Sequence, residues 1–332
     1  MTVRLAGLSV MFLCAVAQAV QDRQIGLTPS LDHDGRGALA VLRRDGLLFP
    51  FASFDRDTWS VSWPVDVGTL DIPTVIDAIP RRWWGHGNLA GWRAHLANGE
   101  SVAFEVRQPV LQRVFCSRRL WLSTSYRSAL EMPPSPIDPF PKDGLAISGG
   151  VPLEPIETVA PSTTEWGKVV VDLLDDFNRV EDQTIGGVRS NTGWRHPIPQ
   201  ATRHRVPIRV ESWYRSPSDE PGWTVSYIES VRAYAPRPED NGCGLETLVT
   251  GWLHHKDGVF KKATGLSAKL TYCDRVGATY MLPFGRIRPK EKIYWVFQLS
   301  GWESEWYDVV EVGHGRARYT VEVPAGAVAR CF

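Results

Sequence analysis

Near the C-terminal end, Gly301-Trp302-Glu303-Ser304-Glu305-Trp306-Tyr307-Asp308 sets carboxylates among aromatic rings. Two kinds of chemistry use such a set. The apolar face of a pyranose packs on an indole while acids accept its hydroxyl hydrogen bonds. Glycoside hydrolysis instead needs two acids roughly 5–10 Å apart across a cleft, one of them with a raised pKa. On a strand, Glu303 and Glu305 share a face about 6.5–7 Å apart, a spacing that permits this pair but that any Glu-x-Glu on an exposed strand would satisfy. Glu303, Glu305 and Asp308 are the catalytic candidates. A second aromatic group, Trp83-Trp84-Gly85-His86-Gly87 ending at Trp92, is too rich in glycine for a regular strand. The ligand-binding candidates are therefore Trp83, Trp84, His86, Trp92, Trp302 and Trp306. The plainer expectation is that rings at strand ends plug the open ends of a sandwich.

Other reactive patterns are missing. The chain has no Gly-x-Ser-x-Gly elbow, and nothing around Cys116 fixes a thiolate pair with His86 or His95 upstream. His254 and His255 stand beside the Asp257-Gly258 turn, but neighbours on a strand point to opposite faces and cannot easily ligate one ion, so solvent exposure is expected for them. His196 and His204 have no partner spacing to exploit. Neither a metal nor any other cofactor is expected.

The compartment is written in the first nineteen residues. Arg4, the apolar run Leu5 to Val16 and Ala17-Gln18-Ala19 read as a secretory signal peptide cleaved after Ala19. Its apolar core of about twelve residues is short of the ~20 that span a bilayer, and residues 11–13 lack the small side chains that precede a lipidated cysteine at Cys14. A secreted or periplasmic protein with no transmembrane segment after cleavage is the expectation. Lysine plus arginine and aspartate plus glutamate both number 37, which leaves no global field for nucleic acid. Locally the charge is uneven, acidic over 154–182 and basic over 107–127 and 203–215, as an acidic helix docking on a basic strand surface would be.

About 313 mature residues exceed the size at which one core usually stops growing, so two domains are expected. Four cysteines remain after cleavage, namely Cys116, Cys243, Cys273 and Cys331. Four cysteines allow three pairings; because three of them are late, one bridge inside the C-terminal domain is expected, with Cys243 and Cys331 the chosen pair, closing a loop of some 90 residues worth on the order of 4 kcal/mol. No Cys-x-x-Cys spacing supports zinc as the competing use.

Turn signals set the fold class. Asp45-Gly46, Asn98-Gly99 and Asp257-Gly258 each lie between strand-like runs. Period-two alternation puts Leu266, Ala268, Leu270 and Tyr272 on one face; Ile293, Trp295, Phe297 and Leu299 repeat the pattern, as do Tyr319, Val321 and Val323, and Val102, Phe104 and Val106. These patterns predict antiparallel sheets buried on one side. One helix is expected over about 163–183, with Trp166, Val170, Leu173, Leu174 and Phe177 inward, a capping box at Ser162 and Glu165, and a stop at Gly186-Gly187. The eight prolines between Pro133 and Pro161 mark a connector.

The expected architecture is mainly β: an N-terminal β domain over 20–127, a proline-rich connector with the helix over 128–202, and a C-terminal β domain over 203–332, of sandwich or partly open barrel type. The function expected for this tryptophan-rich chain is that of an exported, non-catalytic binding or interaction module using aromatic loop surfaces. A carbohydrate-active hydrolase built on Trp302 to Asp308 and a structural component of the cell envelope are the alternatives. Carbohydrate or an envelope protein is the expected partner.

Overall fold

The computed structural model describes residues 36–327, apart from 57, 61–90, 97–98, 115–116, 130–141, 162–163, 237–241, 302–303 and 314. The export signal, Cys116 and Cys331 lie outside the described residues. The fold is mainly β, with three antiparallel sheets and two helices among the described residues, and one sheet curls into a half-barrel.

The N-terminal sheet holds β1 (Arg36–Arg43), β2 (Leu47–Asp55), β3 (Thr58–Ser60), β4 (Trp92–Leu96), β5 (Ser101–Phe104), β6 (Val106–Val114), β7 (Ser117–Thr124) and β8 (Lys142–Ile147), in the order β5-β4-β8-β1-β2-β7-β6 with β3 beside β2. Strand β8 occupies part of the stretch expected to be connector. Its six residues contain no proline, and a Cβ on Gly144 would stand 1.9 Å from the backbone oxygen of His95 on β4, so glycine lets the two strands pair.

After β8 the chain forms β9 (Leu153–Glu154) and β10 (Glu157–Thr158), then α1 (Thr164–Thr192) and the short α2 (Gln200–Arg203). Strands β11 (Arg209–Pro217), β12 (Trp223–Ala233), β13 (Leu245–Lys256) and β14 (Val259–Tyr272) join β10 in an outer sheet ordered β10-β11-β12-β13-β14. The middle sheet is β18-β17-β16-β15-β9, built from β15 (Thr279–Ile287), β16 (Ile293–Gly301), β17 (Ser304–Gly313) and β18 (Arg316–Ala327). Two short strands separated by Pro155 and Ile156 thus stitch an edge of the middle sheet to an edge of the outer one.

Turn chemistry acts where the sequence placed it. Lys256 pairs with Val259, leaving Asp257 (φ 50°) and Gly258 (φ 75°) as a two-residue turn whose positive φ values match strand twist. Gly46 (φ 81°) closes the β1–β2 hairpin with its N–H donating to the Arg43 carbonyl at 2.9 Å.

Alternation in β16 decodes the layering. Ile293, Trp295 and Phe297 pack with Val225, Tyr227 and Trp252 of the outer sheet, whereas Tyr294 and Val296 join Phe49 and Phe51 of the N-terminal sheet in one core cluster. The one wet face expected of this strand is therefore buried too, because the middle sheet lies between two others. A third cluster puts Val169, Leu173, Phe177 and Val180 of α1 on Trp213, Ile228 and Leu253 across the free face of the outer sheet.

Helix α1 outruns its expected stop. Gly186 and Gly187 lie within it on the exposed side, and it ends at Gly193 (φ 73°), whose N–H donates to the Arg189 carbonyl at 2.8 Å in a left-handed cap. Beyond Phe177 the helix is anchored by a fully buried ion pair, with Arg232 donating to Glu181 at 2.5 Å and to Asn178 at 2.8 Å. The acidic helix does dock on basic strand residues.

The disulfide corrects an expectation. Cys243 bridges Cys273 rather than Cys331, with Cα atoms 5.2 Å apart and a separation of 30 positions in sequence. Leu245 pairs with Tyr272, so the two cysteines meet at the open end of the β13–β14 hairpin. Closing a loop of that length contributes on the order of 3–4 kcal/mol in the chain-entropy account.

Candidate functional site

The residues singled out in sequence scatter. Trp83, Trp84, His86, Trp302 and Glu303 lie outside the described residues. Trp92 is 2% exposed, a core side chain of β4 with no ligand-facing surface. Trp306 is half-buried against the cluster between the middle and outer sheets. Strand β17 alternates regularly, so Glu305 shares a face with Tyr307 and Val309 toward the N-terminal sheet, and Asp308 faces the outer sheet. Glu305 accepts a hydrogen bond from the Tyr307 hydroxyl. Asp308 is fully buried opposite Glu322 of β18, and burial pushes its carboxyl up to about 8, with Glu322 adding repulsion. The Trp306 indole favours the charged form without closing a full hydrogen bond to either Asp308 oxygen. Two acids on opposite faces of one strand cannot act across one cleft.

A cavity of about 370 Å³ opens instead beneath the first turns of α1. Its roof is Glu165, Lys168, Val169 and Asp172, which helical periodicity places on one face. Its floor is the outer sheet. Strand register sets Arg215 opposite Ser226 and Thr224 opposite His255, and the period of two turns all four, with Trp213, toward the helix. Farther along α1 the gap is filled by Leu173 and Phe177. Here the floor carries Ser226 and Thr224, too short to reach the roof, and space remains.

Charges in the wall are largely spoken for. Arg215 donates through Nε and Nη2 to the two Glu157 oxygens at 2.9 and 2.7 Å, and through Nη1 to Glu165 at 2.7 Å. That fork holds Glu157 below the usual carboxylate range. Lys168 Nζ donates to the Gly258 carbonyl at 2.6 Å. His255 has its pKa lowered, first by burial and then by Lys168 and Arg215, against the opposing pull of Asp172 and Glu165. Its Nε2 stands 4.0 Å from Asp172 Oδ2, beyond direct hydrogen-bond reach.

Three polar atoms of this wall are buried without a hydrogen-bond partner among the described residues: Ser226 Oγ, Trp213 Nε1 and Asp172 Oδ2. Each such orphan costs about 1–3 kcal/mol when no solvent or ligand reaches it. Sequence reading missed this site. Ser226 carries no motif, and Lys168 and Asp172 belong by pattern to the helix's wet side. The two histidines do face opposite ways, yet neither is solvent-exposed: His254 is buried with Nε2 at 2.9 Å from Thr264 Oγ1, and His255 is half-buried in the cleft.

Glu181, Asp182 and His204 bring three metal-type ligand atoms within 4.8 Å of one another. Arg232 and Arg203 already neutralise them, at 2.5 Å to Glu181 and 2.5 Å to Asp182, so the cluster is an ion-pair network that a cation would have to break. Among the described residues no helix is long and apolar enough to cross a membrane. No protein-family model, curated protein or solved structure matches this chain.

Proposed function

We propose that the protein is an exported, non-catalytic binding protein whose ligand is a small polar molecule held in the cleft between α1 and the outer sheet. The aromatic element of the expected binding surface is then Trp213, seated between the Trp166 ring at 5.8 Å and the Arg215 guanidinium at 5.5 Å, in place of a loop. The observation that carries the reading is a cavity of about 370 Å³ walled by the charged and polar side chains Glu157, Glu165, Lys168, Asp172, Arg215 and His255, where the adjoining contact between α1 and the sheet is apolar. Ser226 is 0% exposed and Trp213 4% exposed, and both leave their polar atom without a partner in the wall of the same space. A fold selected only for stability would fill that space with apolar side chains, since an unsatisfied group costs more than a methyl in its place. Binding sites give up stability in this way.

The test follows from that trade. Ser226→Ala removes an orphaned hydroxyl and leaves the packing intact, so thermal stability is expected to stay level or rise by up to about 1 kcal/mol while ligand affinity falls. A screen of small polar compounds, read by the indole N–H signal of Trp213 in nuclear magnetic resonance, reports binding directly. Loss of stability in Ser226→Ala, with no compound moving the indole signal, would sink the reading.

A further inference from the structure

We propose that the N-terminal sheet carries a second binding site, separate from the cleft beneath α1, that takes a small ligand through an oxyanion such as a phosphoryl or carboxylate group. The site is an open cavity of about 470 Å³ between the β1–β2 turn and the paired strands β6 and β7, with Asp45, Arg107 and Arg127 as its charged residues. Leu47, Ser123 and Gln108 line it side by side on β2, β7 and β6.

Two features of the backbone set the arginines here. Val106 pairs with Thr124 and Gln108 with Ser123, so Arg107 is the extra residue of a β-bulge, a device by which a strand re-aims one side chain. Arg127 instead lies across the β1–β2 turn. Its Nη1 donates to the Tyr126 carbonyl at 2.6 Å and reaches the Asp45 and Thr124 carbonyls at 3.5 Å. A Cβ on Gly46 would stand 2.5 Å from that nitrogen, so the turn glycine is what admits the guanidinium.

Positive charge is what this wall leaves uncompensated. Asp45, its one acid among the described residues, is engaged at both oxygens: Oδ2 accepts from Arg43 at 2.6 Å and Oδ1 from the Leu47 N–H at 3.1 Å. Arg127 meets only neutral carbonyls, which leave its charge whole. Arg107 is exposed and makes no hydrogen bond or ion pair among the described residues, even to Glu105 two positions earlier. A ligand cation would find no free carboxylate and two like charges. An oxyanion would meet two guanidinium groups, each able to pair it through two parallel N–H donors. The volume lies within the range of small-molecule sites.

Isothermal titration calorimetry at physiological ionic strength, with glucose 6-phosphate, glucuronate, inorganic phosphate and glucose, tests this. Glucose 6-phosphate is expected to bind at least roughly tenfold more tightly than glucose, and Arg107→Gln to remove most of that difference. Arg205→Gln, which deletes an exposed charge on the loop before β11, should change nothing. Inorganic phosphate binding as well as glucose 6-phosphate would make the bare anion sufficient, and glucuronate doing so would make a single charge sufficient; both outcomes keep the oxyanion site. Glucose binding as tightly as glucose 6-phosphate, no binding by any of the four, or an Arg107→Gln protein that loses no more than the Arg205→Gln protein overturns the inference. Ser226→Ala should leave glucose 6-phosphate binding intact, so this site and the cleft beneath α1 stand or fall separately.

Discussion

Asp308 shows how one residue can be prominent in sequence for a reason other than the one it suggests. Its carboxyl is fully buried between two sheets, opposite Glu322, and its pKa rises to about 8 from an ordinary value near 3.8. Glu229, also buried, is pushed up to about 7 even though the Met281 N–H donates to it at 2.5 Å. A carboxyl whose folded pKa lies above its unfolded one keeps a proton in the native state that the unfolded chain has released. Stability is therefore highest below the unfolded pKa and is lost as pH rises from about 4 to about 8. Asp308→Asn keeps the neutral form at every pH. Its melting temperature relative to the wild type should climb by roughly 5 °C or more between pH 4 and pH 8. Parallel melting profiles for the two proteins across that range would mean that the side chain reaches water. Nothing in the local sequence could announce this, because the outer-sheet residues of the cluster on that face, Val225, Tyr227 and Trp252, come about 55–85 positions earlier in the chain.

At the level of elements, α1 was legible in kind and misjudged in length. The apolar stripe at three- and four-residue spacing identified it, and the Gly-Gly pair suggested its end. Glycine inside a helix costs only about 1 kcal/mol, less than the tertiary packing around it supplies, here Ile185 against the sheet side and the Glu181–Arg232 pair one turn earlier. The true stop, Gly193, differs from the false ones by following the last turn with positive φ. Gly186 and Gly187 have nothing within 4 Å of a would-be Cβ. Gly186→Ala and Gly187→Ala should each raise stability by about 0.5–1 kcal/mol, read in urea unfolding as a higher midpoint at unchanged slope. A fall in the midpoint would mean that the helix ends where the sequence first suggested. The disulfide was within reach of the same local logic: folding the chain at Asp257-Gly258 and counting outward brings Cys243 beside Cys273, whereas Cys331 belongs to no element that this turn controls. The cleft was not within reach, because it exists only where α1, β11, β12 and β13 come together.

Across the whole molecule, the mainly β class was readable from turns and alternation, while the stacking of layers was not, since a period of two tells which residues share a face and not what that face meets. The stacking has a thermodynamic consequence. Phe51 of β2 lies 5.2 Å from the Tyr307 ring of β17, Trp59 of β3 lies 5.0 Å from Tyr294 of β16, and Ile287, Val296 and Val309 complete the same cluster. The N-terminal sheet thus shares its core with the middle sheet, whose opposite face is shared with the outer one. Removing either neighbour would strip apolar area from the middle sheet at about 25 cal/mol per Å², and rings of this size bury 150–250 Å² each. Several such rings together approach the whole net stability of an ordinary domain. Unfolding one outer layer alone is then about as costly as unfolding everything, so calorimetry should show one transition whose calorimetric and van't Hoff enthalpies agree. Phe51→Ala, at the seam between the first and second layers, should lower that single transition by the roughly 3–5 kcal/mol typical of a buried phenylalanine rather than split it. Two resolved transitions, with only the earlier one moved by Phe51→Ala, would instead make the N-terminal sheet a cooperative unit of its own.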